Sequence, residues 1–213
     1  KTESELIKLV KEFQKSKLFC VDTETTSVDP MLAELLGVAL SKEEGTGYYI
    51  PIAYSQSLFA SNCLPLETVV THIKPLLENP KIEKVGQNIK YDMIVLRNHG
   101  VEVENVTFDT MLASYCIQPG SRRHGMDDLA EDYLEYKTIT YEELVGSGKK
   151  KQDLFNVDPD RVTEYAAEDA DITLRLYHTL KKELKTSEAE NTFYKMEMPL
   201  MPVLMDMEMK GIA

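Results

Sequence analysis

The sequence predicts an α/β fold, with a sheet begun early in the chain and a helical second half. Three observations carry this. Residues 18–22 (LFCVD), 34–40 (ELLGVAL) and 46–52 (TGYYIPI) are short, rich in β-forming residues and separated by turn-type stretches, so they read as three strands in antiparallel meander. A further strand at 82–86 leads directly into a helical pattern, the alternation expected of helices layered on a sheet. From residue 108 onward the apolar spacing is helical.

Taken in order, Leu6, Ile7, Val10 and Phe13 repeat at helical spacing after Thr2 and Ser4, either of which can cap a first helix. The three strands follow. After Pro65, apolar residues at 66, 69, 70, 73, 76 and 77 define a helix that ends at Asn79-Pro80. Strand 82–86 precedes a helix over 88–99, stopped by Gly100. Helices are then expected at 108–117, 126–135, 141–145, 159–184 and 190–210. The stretch GSGKKKQ (146–152) lacks both the G-x-x-x-x-G-K-[ST] spacing and a preceding strand, so it reads as a basic, solvated surface loop rather than a phosphate-binding loop.

A chain of 213 residues is enough for one large domain or two small ones. Lys and Arg number 24 against 36 Asp and Glu, a net charge of 24 − 36 = −12, which excludes a passive basic coat for nucleic acid. Any dealing with a polyanion then needs metal ions, local basic patches or a partner domain. Arg122, Arg123 and His124 form one such patch, and Lys149, Lys150 and Lys151 a second. The three cysteines, Cys20, Cys63 and Cys116, form no C-x-x-C pair and read as reduced thiols. No apolar run is long enough to span a membrane and the N-terminus does not read as a signal peptide, so a cytoplasmic protein without membrane contact is expected. The chain starts without Met and stops inside a helical pattern, as expected of a piece of a longer protein.

Chemistry concentrates in three places. Asp22 and Glu24 close the first strand and, by its alternation, project from one face, although strand ends also carry solvated acids without function. Asn88 and Asp92 stand one helical turn apart at a helix start, where Asn88 can serve simply as an N-cap and Asp92 is favoured by the helix dipole. Tyr165 and Asp169 share a face of the helix 159–184, beside Ala166, Ala167 and Ala170, which leave room for close approach. Glu168 and Asp171 fall on other faces and read as surface acids.

In this order the motifs VDTETTSVDP, VGQNIKYD, FDTMLASY, HGMDDLAEDYL with KTITYEEL, YAAEDAD and EMPLMPVL resemble the proofreading 3′→5′ exonuclease domain of family A DNA polymerases, the DNA polymerase I type, over nearly the whole chain. The resemblance implies a ribonuclease H-like α/β fold, a mixed central sheet flanked by helices. It implies an exonuclease domain over 1–190 and, over 191–213, a helix leading into a polymerase domain outside this chain. The expected reaction releases nucleoside 5′-monophosphates from a single-stranded or frayed DNA 3′ end in bacterial cytoplasm. Asp22, Glu24, Asp92 and Asp169 are the implied ligands of two divalent metal ions, Mg²⁺ or Mn²⁺, with Tyr165 orienting the attacking water. Implied substrate contacts are Thr25 and Val28, Gln87 and Asn88, Arg123 toward phosphate, and Tyr141 against a terminal base. Val28 and Tyr141 stand where relatives often carry Leu and Phe, and both keep an apolar wedge. The alternative is a ribonuclease D-like 3′→5′ exoribonuclease, which shares the four carboxylates and the tyrosine. Met196, Met198, Met201, Met205, Met207 and Met209 crowd the last helix and are expected to pack, in part against the absent domain.

Overall fold

Thr2 opens α1 (Glu3–Phe13) with a capping box, its side chain accepting from the Glu5 amide while Glu5 reaches back to the Thr2 amide. The buried face of α1 (Leu6, Val10, Phe13) delivers Phe13 edge-on to Phe19 and Tyr48, at ring distances of 5.6 and 5.7 Å. These coordinates come from a computed structural model that describes residues 2–211, the side chains of Asn62 and Lys149 apart.

The three early strands are β1 (Leu18–Thr25), β2 (Leu35–Ser41) and β3 (Tyr48–Pro51), paired antiparallel as the spacing predicts. After α2 (Leu66–Leu77), β4 (Glu83–Gly86) joins β1 in parallel, and α3 (Ile89–Asn98) returns the chain to a fifth strand, β5 (Val106–Asp109). The sheet order is β3-β2-β1-β4-β5, mixed as expected. β5 corrects the expected helix over 108–117: the chain is extended through Asp109, and α4 (Thr110–Ile117) begins without a linker. Four residues, V-T-F-D, are too few to display alternation, and only parallel pairing with β4 makes them a strand.

The rest is helical: α5 (Met126–Leu134), α6 (Tyr141–Val145) and the 28-residue α7 (Pro159–Thr186), which starts at a capping Asp158 with Pro159 in the first turn. α7 packs across β1, β2 and β3, burying Ala166 and Ala170 against Leu36, Ala39 and Tyr49. The other face of α7 (Leu174, Leu176, Tyr177, Leu180) joins the main core with α3 and α4. The expected helix over 190–210 is interrupted. α8 (Glu190–Thr192) passes through a widened π-helical turn at Phe193–Glu197 into α9 (Met198–Met209), where Pro199 has no N–H to continue the regular ladder. Met198, Met201 and Met205 are buried, whereas Met196, Leu200, Val203 and Met207 form an exposed apolar face.

Two expected surface acids are structural. Asp171 is buried, accepts the Gly45 amide at 2.6 Å and pairs with Arg175 at 2.8 Å, tying the β2–β3 turn to α7. Glu168 accepts from the Tyr136 hydroxyl and the Ile139 amide, both at 2.7 Å, and so fixes the segment between α5 and α6. Among the described residues no helix is long and apolar enough to cross a membrane.

Candidate active site

β1 pairs with β4 only up to Cys20 and with β2 only from Cys20 onward, so beyond Cys20 the β2 partnership continues while the β4 partnership stops. The backbone from Val21 to Thr25 therefore faces an open wedge in the sheet, and α3 fills it. Asp92, buried one turn into α3, accepts the Thr23 amide at 3.0 Å and the Thr23 hydroxyl at 2.5 Å, standing in for the missing strand partner.

The start of α3 is built for this. Asn88 occupies the cap position with a left-handed backbone (φ 52°) and makes no side-chain cap bond, so the expected capping role passes elsewhere. Asp109, at the end of β5, accepts the amides of Asn88 (3.3 Å) and Ile89 (2.8 Å) and also caps its own helix through Leu112 (3.0 Å). The Asn88 side chain is thereby left facing a cleft of about 560 Å³.

Asp22 and Glu24 share a face of β1, and α7 lays Asp169 against them, so that carboxylate oxygens of these three lie within 4.8 Å of one another. Gly37, opposite Glu24 on β2, lets the Tyr49 ring pass beneath: a Cβ there would stand 2.2 Å from the Tyr49 hydroxyl. Gly47 does the same against α7, since its Cβ would lie 2.0 Å from the Ala167 carbonyl oxygen. That is the close approach the small residues around Asp169 foretell. Asp92 is outside the mutual group of three but stands at the same strand.

Burial pushes the Asp22 carboxyl up to about 7. Burial, then the charge of Asp22, raises Glu24, Asp92 and Asp169 well above the carboxylate range. Among the described residues none of the four has a cationic partner within ion-pair distance, and the Asp169 Oδ1 atom is buried without a hydrogen-bond partner. Convergent, uncompensated carboxylates with an orphaned oxygen are the donor set that suits a hard divalent cation. Tyr165 stands one helical turn from Asp169 on α7, and burial, then the charge of Asp169, raises its phenol above the ordinary value.

The remaining sequence-predicted residues divide. Thr25, Asn88, Val28 and Tyr141 all line the cleft; Val28 is 96% exposed and Tyr141 46%, so two apolar side chains face solvent across it. Thr25 is held by Tyr91, whose hydroxyl bonds both the Thr25 hydroxyl and the Ser27 carbonyl. Gln87 is turned inward: its amide donates to the His124 carbonyl at 2.9 Å and accepts from Thr110. Arg123 pairs with Asp128 and Glu131 at 2.8 Å and with Asp132 at 3.6 Å, and does not line the cleft. Lys151 is exposed, as expected of a solvated loop, and also lines the cleft, while the Lys149 side chain lies outside the described residues. Tyr91 and Asp109 are not marked by sequence reasoning, and Lys151 is marked only as part of a basic run; the adjacency of Tyr91 to Asp92 is the one usable signal for the first two.

A family model described as 3′–5′ exonuclease matches residues 1–185. The chain is 39% identical over 212 residues to DNA polymerase I of Rhizobium leguminosarum, covering 92% of this chain and 21% of that one. It is 39% identical over 205 residues to DNA polymerase I of Pseudomonas aeruginosa, covering 95% and 22%. It thus spans about a fifth of the length of these curated relatives. Among solved structures, Brucella melitensis NrnC superposes with a TM-score of 0.73 at 22% identity, over 94% of this chain and 88% of that one. The mixed five-stranded sheet with its helices is accordingly the ribonuclease H-like α/β fold.

Proposed function

The chain belongs to the 3′–5′ exonuclease family carried by DNA polymerase I, and from that premise we propose that it removes nucleoside 5′-monophosphates one at a time from DNA 3′ ends, as the proofreading module of a longer polymerase. The observation that carries the reading is the convergence of Asp22, Glu24 and Asp169 within 4.8 Å, with Asp92 bonded to the same strand and, among the described residues, no Lys, Arg or His within ion-pair distance of the four. In this reading residues 1–190 are the exonuclease unit and 191–213 lead into a polymerase domain, in a bacterial cytoplasm.

Asp22, Glu24, Asp92 and Asp169 would hold two divalent cations, Mg²⁺ or Mn²⁺, which when bound activate the attacking water and balance charge on the leaving 3′ oxygen. The protein's own contribution is positional. Tyr165 keeps its proton at neutral pH, because burial raises its phenol, and so acts as a hydrogen-bonding guide for water rather than as a base. Tyr141 and Val28 flank the terminal base, the ring stacking without reading base identity, as suits a proofreader. Asn88 and Thr25 face the sugar–phosphate of the same nucleotide. Gln87 holds the segment that carries Arg123, which exchanges its carboxylates for phosphate when the strand arrives.

The test is a 5′-labelled single-stranded oligonucleotide incubated with the protein in chelator and in Mg²⁺ or Mn²⁺, beside an RNA of the same sequence and a circular single strand. A one-nucleotide ladder from the 3′ end, dependent on metal and absent from the circle, is expected. Cleavage of the circle, full activity in chelator, or degradation of RNA in preference to DNA would overturn it.

A further inference from the structure

We propose that Lys151 is a substrate-binding residue of the cleft, contacting a backbone phosphate of the bound strand; this rests on the exonuclease reading above and adds to it a contact residue. Lys151 is the sole Lys or Arg among the described residues lining the cleft, which it shares with Glu24, Val28 and Tyr141. It has no ion pair among the described residues, whereas Arg123 is shared among three carboxylates of α5. A free cation beside aromatic and apolar side chains, at the edge of an acidic site, is the arrangement that admits a phosphodiester and stacks its bases.

The loop is also built to present it. Gly146 turns with φ +81°, and a Cβ there would stand 2.9 Å from the Lys150 carbonyl oxygen, so the chain folds back tightly at that point. The Gln152 amide donates to the Val145 carbonyl at 3.0 Å and closes the loop at its base. From behind, Ser57 donates to the Phe155 carbonyl at 2.6 Å and the Tyr54 and Phe155 rings lie 5.0 Å apart, so a second loop braces this wall of the cleft. Lys151 itself is exposed and its side chain bonds no other described residue, so its replacement removes charge without removing packing.

The experiment compares wild type with Lys151→Gln, Lys151→Arg and Lys182→Gln, the last an exposed lysine of α7 away from the cleft with the same change in net charge. KM and kcat are measured on a single-stranded oligonucleotide at several salt concentrations. For Lys151→Gln, KM rises about fivefold, the scale of an exposed ion pair, with kcat within about twofold. The slope of log(1/KM) against log salt becomes shallower by about 0.7, the share of one single-strand phosphate. Lys151→Arg restores both. If Lys151→Gln behaves as Lys182→Gln does, or if its loss falls on kcat alone, the inference is wrong while the exonuclease reading stands. A wild-type protein that does not shorten DNA overturns that reading, and this one with it.

Discussion

Replacing Asp22 by Asn removes one charge from the carboxylate cluster while keeping shape, and the metal-free domain should become more stable for it. The folded Asp22 carboxyl is pushed up to about 7 from 3.8, chiefly by burial. Between those two pH values the folded chain holds a proton that the unfolded chain has lost, so stability falls as pH rises through this window. A shift of about 3.2 units corresponds to about 4 kcal/mol lost by pH 8. Asp22 keeps partial contact with solvent, which reduces the penalty, and about 2 kcal/mol is the working figure. Relief of Glu24, Asp92 and Asp169, each raised in part by the Asp22 charge, acts in the same direction. For a chain of this size about 2 kcal/mol is about 4–8 °C in Tm. The assay is thermal unfolding of both proteins in chelator, from pH 4 to pH 8. The two curves should lie closest near pH 4, just above the unfolded-state value of 3.8, and separate in favour of the variant as pH rises toward 7. Addition of Mg²⁺ should raise Tm for wild type and much less for the variant. A variant that melts at or below wild type at pH 8 in chelator would make Asp22 a structural acid and refute the reasoning.

Tyr165→Phe removes the hydroxyl that would guide the attacking water without touching a carboxylate, so turnover should fall about 10- to 100-fold with metal affinity nearly intact. Because the phenol stays protonated across the working range, the alkaline side of the pH–rate profile should keep its shape; loss of that limb, or of metal binding by calorimetry, would reverse the role given to it. Gly47→Ala places a methyl 2.0 Å from a backbone oxygen of α7. The helix must shift between Tyr165 and Asp169, at a cost of about 1–3 kcal/mol, so both Tm and exonuclease rate should drop, and an unchanged melt would show that the contact yields freely.

Pairs on one element were legible. Asp22 with Glu24 follows from strand alternation, and Tyr165 with Asp169 from a helical turn. That these pairs converge was not readable from local pattern; it depends on α7 crossing β1, and the order of the motifs supplied it only through resemblance. The misreadings share a cause. The expected helix over 108–117 takes in Phe108 and Asp109 of β5, because the identity of that strand lies in pairing with β4, not in its four residues. Asp171 and Glu168 looked exposed because their partners, the Gly45 and Ile139 amides, come from other segments. Lys151 is exposed as its charge run suggests, but that it borders a cleft is not legible, because the cleft is assembled from β1, α3 and α6 together. Helical and strand periods report which face a residue takes, and they carry no information on what the rest of the chain brings to that face.

The double use of Asp109 has a consequence for the order in which the molecule can assemble. A helix pays a nucleation cost before its first bonds form, and α3 has no side chain of its own to meet its leading amides. Their acceptor arrives only when β5 has docked beside β4, and the same carboxylate then starts α4. β4, α3, β5 and the first turn of α4 therefore support one another through a single carboxylate, and the position of Asp92 at β1 rests on that shared support. Asp169 follows from a helix later still in the chain. Asp22 and Glu24 alone share an element, so the complete acid cluster depends on α3 and α7 both being seated against β1.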